Sequence, residues 1–213
     1  MVKILIVRHG FSTSNKDGTF TGQIDVPLSE EGIVQAELVS NYIINNYDVG
    51  AVYSSDLSRA IDTVKKVAEI KNLPIFTDKR LREVFCGKWE GVLVEKVKEI
   101  FKKDYLAWKS GSETAYMTGG ENMKEVKLRS LEAVKEIVSK NQNKTVVVAT
   151  HGGVIKPLLS GMLEVDYQSL SDMPWATNAS ITELDYEDGK FSLVKFSFDD
   201  YLGELKTGMP KGI

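Results

Sequence analysis

Cysteine and histidine are both scarce in this sequence. Among 213 residues there is one cysteine, Cys86, and there are two histidines, His9 and His151. A single cysteine cannot form an internal disulfide, which is typical of a protein from a reducing compartment. The amino terminus also lacks a charged segment followed by a long apolar segment and a cleavage site. These absences predict a cytoplasmic protein.

Long apolar segments and an excess of positive charge are missing too. No apolar run approaches the roughly 20 residues that a bilayer requires, so no membrane partner is predicted. The formal net charge is -3, whereas sequence-independent binding to nucleic acid needs an excess of Lys and Arg. Nucleic acid is therefore not expected as a partner, and any phosphate site has to be local.

No internal repeat, low-complexity tract or linker divides the chain. We therefore expect a single domain over residues 1–213. The sequence carries no signal for its oligomeric state.

The first half of the sequence alternates strand and helix patterns. Residues 4–7 form a short aliphatic run typical of a strand buried on both faces. A helix is predicted after Ser29, its expected N-cap. Its apolar residues recur near helical spacing: Ile33, Ala36, Val39 and Ile43. A second strand over 50–55 and a second helix over 56–72 follow, and this order favours an α/β fold.

The second half begins with mainly helical patterns. Two such stretches, 92–109 and 121–140, flank a glycine-rich segment, and we expect the region of about 92–140 to be an insertion over the active site. The remaining predicted elements are a buried strand over 145–150, a short helix over 154–162 and a hairpin of strands 180–186 and 191–198.

Both histidines follow an apolar strand in the same way. "ILIVRHG" and "VVVATHGG" each place a polar residue, a histidine and a glycine at the end of a strand. If the strands are parallel, both imidazoles emerge at the carboxyl edge of the sheet, where open α/β sheets bind ligands. Arg59 comes from the first turn of the helix after strand 50–55, at the same edge. Four groups can converge there: Arg8, His9, Arg59 and His151.

These residue types favour an anion as the ligand. Two guanidiniums would repel a metal ion, and each has a planar fork that suits phosphate oxygens. Gly10 and Gly152, directly after the histidines, allow the backbone to approach a ligand closely. The sequence therefore predicts a phosphate site without a metal.

Five sequence blocks resemble, in the same order, those of the histidine phosphatase superfamily, also called phosphoglycerate mutase-like. They are "RHG" followed by Ser12 and Asn15, then "TGQIDVPLSEEGIVQA", "SSDLSRAIDT", "LREVFCGKWEG" and "THGGVIK". The resemblance covers nearly the whole chain. It implies a three-layer α/β/α sandwich with a mixed, mostly parallel sheet.

The resemblance also implies a role for each matching residue. His9 would be the phospho-acceptor and Glu83 the proton donor, while His151 would complete the catalytic set. Arg8 and Arg59 would bind the phosphoryl group. Other substrate-binding positions are implied at Ser12, Asn15, Thr21, Gly22 and Gly152. Neutral imidazole is a competent nucleophile near pH 7, so the reaction would pass through a phosphohistidine without metal or cofactor.

Simpler interpretations exist for three of the reactive side chains. Arg59 could pair with Asp56 on the surface of a helix, a contact worth at most about 0.5 kcal/mol. Glu83 is preferred over Glu90 and Glu95 only through the resemblance. The thiol of Cys86, within the "LREVFCGKWEG" block, is a conceivable nucleophile, but a lone cysteine is more often a small buried apolar group.

Three aromatic residues and one glycine-rich segment are expected to have structural roles near the pocket. Trp89 and Trp108 are expected to pack rather than to stack on bases, because no basic stripe accompanies them. The "GGEN" segment, residues 119–122, resembles a segment near the pocket of family phosphatases, and no catalytic role is assigned to it. Phe11 stands where Glu or Gln is common in the family and is expected to make that wall of the pocket apolar.

The resemblance leaves open which molecule receives the phosphoryl group from the phosphohistidine. A phosphatase gives it to water, and a mutase returns it to a sugar acid. The "GKWEG" form at residues 87–91 resembles the phosphatase branch, so we expect a metal-independent phosphomonoesterase of a small phosphorylated metabolite. The alternatives are a cofactor-dependent phosphoglycerate mutase and a catalytically silent module that binds a phospho-ligand or a protein.

Overall fold

A mixed sheet of six strands, in the order β3-β2-β4-β1-β5-β6, runs through the centre of the computed structural model, which describes residues 1–208. The first four strands in chain order are parallel, and the last two run antiparallel to their neighbours. This confirms the predicted mixed, mostly parallel sheet. The strands are β1 (Val2–Arg8), β2 (Val49–Ser54), β3 (Ile75–Thr77), β4 (Thr145–Thr150), β5 (Ile181–Glu187) and β6 (Lys190–Phe198).

The α-helices of residues 1–208 follow most of the predicted pattern. They are α1 (Thr13–Asp17), α2 (Glu30–Asn46), α3 (Ser58–Lys71), α4 (Val94–Ile100), α5 (Lys102–Lys109), α6 (Met123–Lys140) and α7 (Gly152–Met162). The helical stretch predicted over 92–109 is two helices, because Phe101 leaves the helical conformation with φ -113° and ψ 35°. None of the helices in this part of the chain is both long and apolar enough to cross a membrane.

Side chains of the central strands alternate between two apolar cores. Ile4 and Ile6 of β1 point into the core that contains residues of α6 and α7, whereas Leu5 and Val7 point into the core with α2 and α3. Strand side chains alternate between the two faces of a sheet, so one uninterrupted aliphatic run fills both cores. Helices therefore cover both faces, and the predicted three-layer α/β/α sandwich is confirmed.

Ile33, which shares the helical spacing of the apolar residues of α2, does not reach the core. It is 56% exposed, while Val39 and Ile43 are buried. Gly32 occupies the inner position of this first turn, and a Cβ atom there would lie 1.9 Å from the carbonyl oxygen of Phe11. The apolar face inferred from the spacing is wrong at its first residue, because the start of α2 packs glycine against the loop that follows β1.

The region from about 92 to 140 contains α4, α5 and α6. Of these, α6 packs along α7. Residues 110–122 connect α5 to α6 and approach the loop that contains Phe85, because the backbone N–H of Glu121 donates to the Phe85 carbonyl at 2.8 Å. The description of this region as an insertion within a single domain stays a prediction.

Candidate active site

The ends of β1 and β4 place the two histidines side by side. Arg8 is the register partner of Thr150, and the backbone N–H of His9 donates to the carbonyl oxygen of Thr150 at 3.0 Å. His9 and His151 therefore leave the sheet at the same level. Their ring centroids are 5.1 Å apart, and the two residues are 4% and 0% exposed.

A backbone hydrogen bond determines the tautomer of His9. Its Nδ1 lies 2.7 Å from the carbonyl oxygen of Gly10, which can only accept, so Nδ1 carries the proton. Burial lowers the pKa of His9 well below its ordinary value, and the positive charges of Arg59 and Arg8 lower it further. The ring is therefore neutral at pH 7, with a lone pair on Nε2 that can act as a nucleophile.

A cavity of about 100 Å³ adjoins His9. Most of the site residues predicted from the sequence line it, namely Arg8, His9, Asn15, Thr21, Gly22, Arg59, Glu83 and Gly152. Two predicted residues do not line it. Ser12 is the buried N-cap of α1, and His151 lies beside His9.

Arg59 is held inside the protein rather than on a helix surface. It is 1% exposed, and its two terminal nitrogens donate to the carbonyl oxygens of Ile24 and Gly22, each at 2.9 Å. Asp56, the alternative partner, instead pairs with Arg82, whose Nε lies 2.6 Å from its Oδ1. The simple surface ion pair is therefore absent, and Arg59 presents its charge to the cavity.

Arg8 enters the cavity from the last position of β1. Its Nη1 donates to the carbonyl oxygen of Ala176 at 2.5 Å. Burial lowers its pKa to about 10, an effect that the negative charge of Glu83 opposes, so the guanidinium stays charged at pH 7. A Cβ atom on Gly152 would lie 3.1 Å from Cζ of Arg8, so the glycine at this position leaves room for the guanidinium.

Four buried nitrogens in this group have no hydrogen-bond partner within residues 1–208. They are Nε of Arg8, Nε of Arg59 and both ring nitrogens of His151. Burial lowers the pKa of His151 well below its ordinary value, and the charge of Arg59 lowers it further, so this ring is also neutral. Buried polar atoms without partners cost free energy, and a tetrahedral oxyanion such as phosphate would supply acceptors for the two arginine N–H groups and for the one N–H of the neutral His151 ring.

The histidine pair and Glu83 could also be considered as metal ligands. One ligand atom from each of His9, Glu83 and His151 lies within 4.8 Å of the others. However, Arg8 and Arg59 bring two positive charges to the same place and would repel a cation. Together, these side chains therefore fit an anion better than a metal ion.

Glu83 reaches the cavity from the loop after a 3-10 turn at Lys79–Leu81. Its Oε1 accepts a hydrogen bond from the backbone N–H of Val84 at 2.9 Å, and its Oε2 accepts one from the N–H of Gly153 at 3.3 Å. A Cβ atom on Gly153 would lie 2.4 Å from Oε1 of Glu83. The second glycine of "THGG" therefore leaves space for the carboxylate.

The other candidate acids and the thiol have different surroundings. Glu90 accepts hydrogen bonds from the backbone N–H groups of Gln23 at 2.7 Å and Cys86 at 3.3 Å, and it does not line the cavity. Glu95 pairs with Lys98 on the exposed surface. Cys86 lines the cavity, but burial raises the pKa of its thiol well above the ordinary value. A protonated thiol is a poor nucleophile.

Arg129, in the middle of α6, was not found by sequence reasoning. Its guanidinium donates to the carbonyl oxygens of Arg80 and Arg82, each at 2.7 Å, and of Glu83 at 3.0 Å. It also forms an ion pair with Glu121 at 2.8 Å. Arg129 thus fixes the backbone that carries Glu83, and no local motif marks an arginine within a helix for this task.

The "GGEN" segment supports the same loop. A Cβ atom on Gly120 would lie 2.1 Å from the carbonyl oxygen of Phe85, and the Glu121 carboxylate accepts from the N–H of Phe85 at 2.8 Å. Asn122 is the N-cap of α6 and forms a capping box with Glu125. In this structure the segment braces the loop near the cavity and starts a helix.

Asn178 is a second residue that sequence reasoning missed. Its side-chain amide donates to the carbonyl oxygen of His9 at 3.1 Å and to Oδ1 of Asn15 at 3.2 Å. Ser12 caps α1, where its Oγ accepts from the N–H of Asn15 and its own N–H donates to the same Oδ1. These bonds fix the Asn15 amide so that its NH₂ group can donate towards the cavity.

The apolar wall of the cavity does not come from Phe11, so that prediction is wrong. The backbone N–H of Phe11 donates to Gln35 of α2 at 2.7 Å, and Phe11 is not among the residues that line the cavity. Trp89 is fully buried and packs edge-on against Phe20, as expected, whereas Trp108 both packs on Phe20 and lines the cavity. The apolar lining consists of Phe20, Val84, Trp108, Met117, Met123 and Trp175.

Known proteins share this sequence pattern and fold. The profile of the histidine phosphatase superfamily (branch 1) matches residues 4–199. Phosphoserine phosphatase 1 of Hydrogenobacter thermophilus is 31% identical over 216 residues, with 100% of both chains covered. The structure of Bacillus stearothermophilus YhfR is similar with a TM-score of 0.89 at 26% identity, over 95% of this chain and 100% of that one. A mutant phosphoserine phosphatase from Entamoeba histolytica, solved with phosphoserine, has a TM-score of 0.80 at 28% identity, over 92% and 98% of the two chains.

Proposed function

The chain belongs to the histidine phosphatase superfamily, and on this premise we propose that it hydrolyses small phosphate monoesters through a phosphohistidine at His9. The observation that supports this most is the neutral, buried His9 with its free Nε2, placed beside two guanidiniums in one cavity. The neighbouring carboxylate of Glu83 supplies the proton chemistry that a phosphatase needs.

In the first step, Nε2 of His9 attacks phosphorus and forms a P–N bond while the bond from phosphorus to the ester oxygen breaks. Glu83, in its protonated form, gives a proton to the departing oxygen. Nε of Arg8, Nε of Arg59 and the one N–H of the neutral His151 ring donate to the oxygens that stay on phosphorus. Fixed donors at these positions stabilise the charge that spreads over the transition state.

In the second step, water attacks the phosphohistidine. The Glu83 carboxylate now accepts a proton from that water, the P–N bond breaks, and inorganic phosphate leaves with His9 restored. Splitting one displacement into two easier ones is the usual benefit of a covalent intermediate. Both steps use side chains of this protein alone.

The two alternatives from the sequence have less support. The mutase and the phosphatase share the first step, but the relatives from Hydrogenobacter thermophilus and Entamoeba histolytica carry phosphatase names. A silent binding module would have no need for a neutral nucleophile next to a carboxylate. The single cysteine further supports a cytoplasmic location, which cell fractionation would test.

The purified protein, treated exhaustively with EDTA, should release inorganic phosphate from phosphoserine, 3-phosphoglycerate and p-nitrophenyl phosphate. Loss of release with chelator, recovered by Mg²⁺ or Zn²⁺, would contradict the metal-free mechanism. The mutase would be favoured if 2,3-bisphosphoglycerate strongly stimulated interconversion of 2- and 3-phosphoglycerate while little inorganic phosphate appeared.

A further inference from the structure

Lys156 carries a charge that the proposed mechanism does not use. It lies on α7 and is only 7% exposed. Its Nζ lies 5.0 Å from the centre of the Trp175 indole. Asp172 acts on it only through its charge at longer range, and no carboxylate within residues 1–208 forms an ion pair with Nζ. A lysine with so little exposed surface and no ion-pair partner is unusual.

A second cavity, of about 230 Å³, lies next to this lysine. Trp108 and Trp175 line both this cavity and the one that contains His9. The second cavity has no acidic residue in its lining, which consists of Trp108, Lys109, Ser110, Gly111, Lys156, Tyr167, Gln168, Leu170, Ser171 and Trp175. Its basic and hydroxyl groups therefore favour a ligand with a negative charge.

The helix brings this cavity close to the reacting atoms. Gly152 lines the catalytic cavity, and Lys156 follows it by four residues on α7. Residues four apart share a helix face and are separated by about 6 Å along its axis. The two cavities are therefore neighbours along α7, and Lys156 lies on the side where the far end of a small molecule held at His9 would extend.

We propose that Lys156, with Trp108 and Trp175, forms a subsite for a carboxylate on the leaving group of the substrate. The substrate would then be a phosphate ester of a small hydroxy or amino acid, and this inference rests on the proposed phosphatase function. A single ammonium matches a single negative charge, whereas the phosphoryl dianion has two guanidiniums. The two indoles supply apolar walls for the carbon atoms between the charged ends.

The experiment compares two esters that differ only in this carboxylate, 3-phosphoglycerate and glycerol 3-phosphate. Because a hydrogen bond to a charged group is strong when water is excluded, Lys156→Met should lower kcat/KM for 3-phosphoglycerate by about 10- to 100-fold. The value for glycerol 3-phosphate should change by less than about 3-fold, since no charge pair is lost. Lys156→Arg keeps the charge and should recover part of the preference. Lys135→Met, on the exposed face of α6, should change neither value.

Binding to the His9→Ala protein provides a measurement that does not depend on turnover. Calorimetry should show that adding Lys156→Met weakens binding of 3-phosphoglycerate but not of glycerol 3-phosphate. Equal effects on both esters, or no effect on either, would overturn the subsite. If the enzyme hydrolyses both esters without preference, the subsite is wrong and the phosphatase function stands. If it hydrolyses neither, yet 3-phosphoglycerate binding still depends on Lys156, the phosphatase function is wrong and the subsite stands.

Discussion

The two halves of the candidate site are built in different ways. Arg8, His9 and His151 come from the ends of two adjacent parallel strands, where the backbone register aligns them. Glu83 comes from an irregular loop, where Arg129 of a distant helix holds three carbonyl oxygens in place. The nucleophile half is therefore positioned mainly by the backbone pairing of the central sheet, and the acid half mainly by side-chain contacts to an irregular loop.

This difference implies different sensitivities to mutation. Substitutions on a remote element should leave the nucleophile half intact, because its residues are held by the central sheet. The same substitutions can move Glu83, since three of the carbonyl oxygens of its loop are held by the guanidinium of Arg129 on α6. Effects on the two halves can be separated by choosing esters whose leaving groups do or do not need a proton.

The largest effect should come from the nucleophile half. His9→Ala should lower kcat for phosphate release on the order of 10⁴-fold or more, because the covalent route is lost. Cys86→Ser, in the same cavity, should change kcat by less than about 3-fold, since the protonated thiol takes no part in the reaction. Steady-state phosphate release measures both. Near-normal turnover by His9→Ala would remove the nucleophile assignment.

The acid half should show a dependence on the leaving group. Glu83→Gln should lower kcat/KM for an alkyl ester such as phosphoserine by about 10²- to 10⁴-fold, the usual range for general acid catalysis. The change should be much smaller for p-nitrophenyl phosphate, because its leaving group is stable as an anion. Equal losses on both esters would mean that Glu83 is not the acid, and Glu90 would be the next residue to substitute.

Arg129→Met should, like Glu83→Gln, slow the hydrolysis of alkyl esters more than that of aryl esters, but by a smaller factor. Without the guanidinium, the loop loses three charge-assisted hydrogen bonds and Glu83 loses its fixed position. We expect a loss of about 10- to 100-fold in kcat/KM for alkyl esters, since a misplacement of about 1 Å can cost 10²-fold. Aryl ester kinetics should change little. Lys135→Met on the same helix is the control, and an equal loss for both ester types would show that Arg129 affects folding alone.

The smallest expected effect is the loss of folding stability in acid that the two buried histidines cause. Both histidines have folded-state pKa values well below 6.5, so the unfolded chain binds more protons below about pH 6.5. The free energy of unfolding should therefore be highest above that pH and fall as the solution is acidified, by up to about 1.4 kcal/mol per pH unit for each histidine. Urea denaturation between pH 7 and pH 5.5 measures this. His9→Asn should reduce the slope, and an unchanged slope would contradict the buried neutral state.

The same contrast explains what could be predicted from the sequence. Arg8, His9 and His151 follow apolar strands, so their convergence could be inferred from periodicity and the carboxyl-edge rule. The acid could be identified only through the resemblance of its block, because nothing local distinguishes Glu83 from other glutamates.

The residues that were missed or misplaced depend on tertiary contacts. Arg129 and Asn178 act on backbone carbonyls that are distant in sequence, and no spacing rule reports such bonds. Helical spacing predicts a buried Ile33 and the family pattern predicts Phe11 in the pocket wall, but Gly32 packs tightly against the loop after β1, Ile33 is exposed and Phe11 does not line the cavity. Periodicity predicts most of the buried faces of strands and helices. The conformation of a loop depends on tertiary contacts, so it has to be determined from the structure.

The most direct test of the central claim is rapid mixing of Glu83→Gln with p-nitrophenyl phosphate. The first step needs little acid for this ester, while the second still needs a base to deprotonate water. The account predicts a burst of nitrophenolate approaching one equivalent per enzyme, followed by slow turnover, with an acid-labile phosphoryl group on His9. A linear time course without a burst, or a phosphoryl group on any other residue, would contradict the phosphohistidine mechanism.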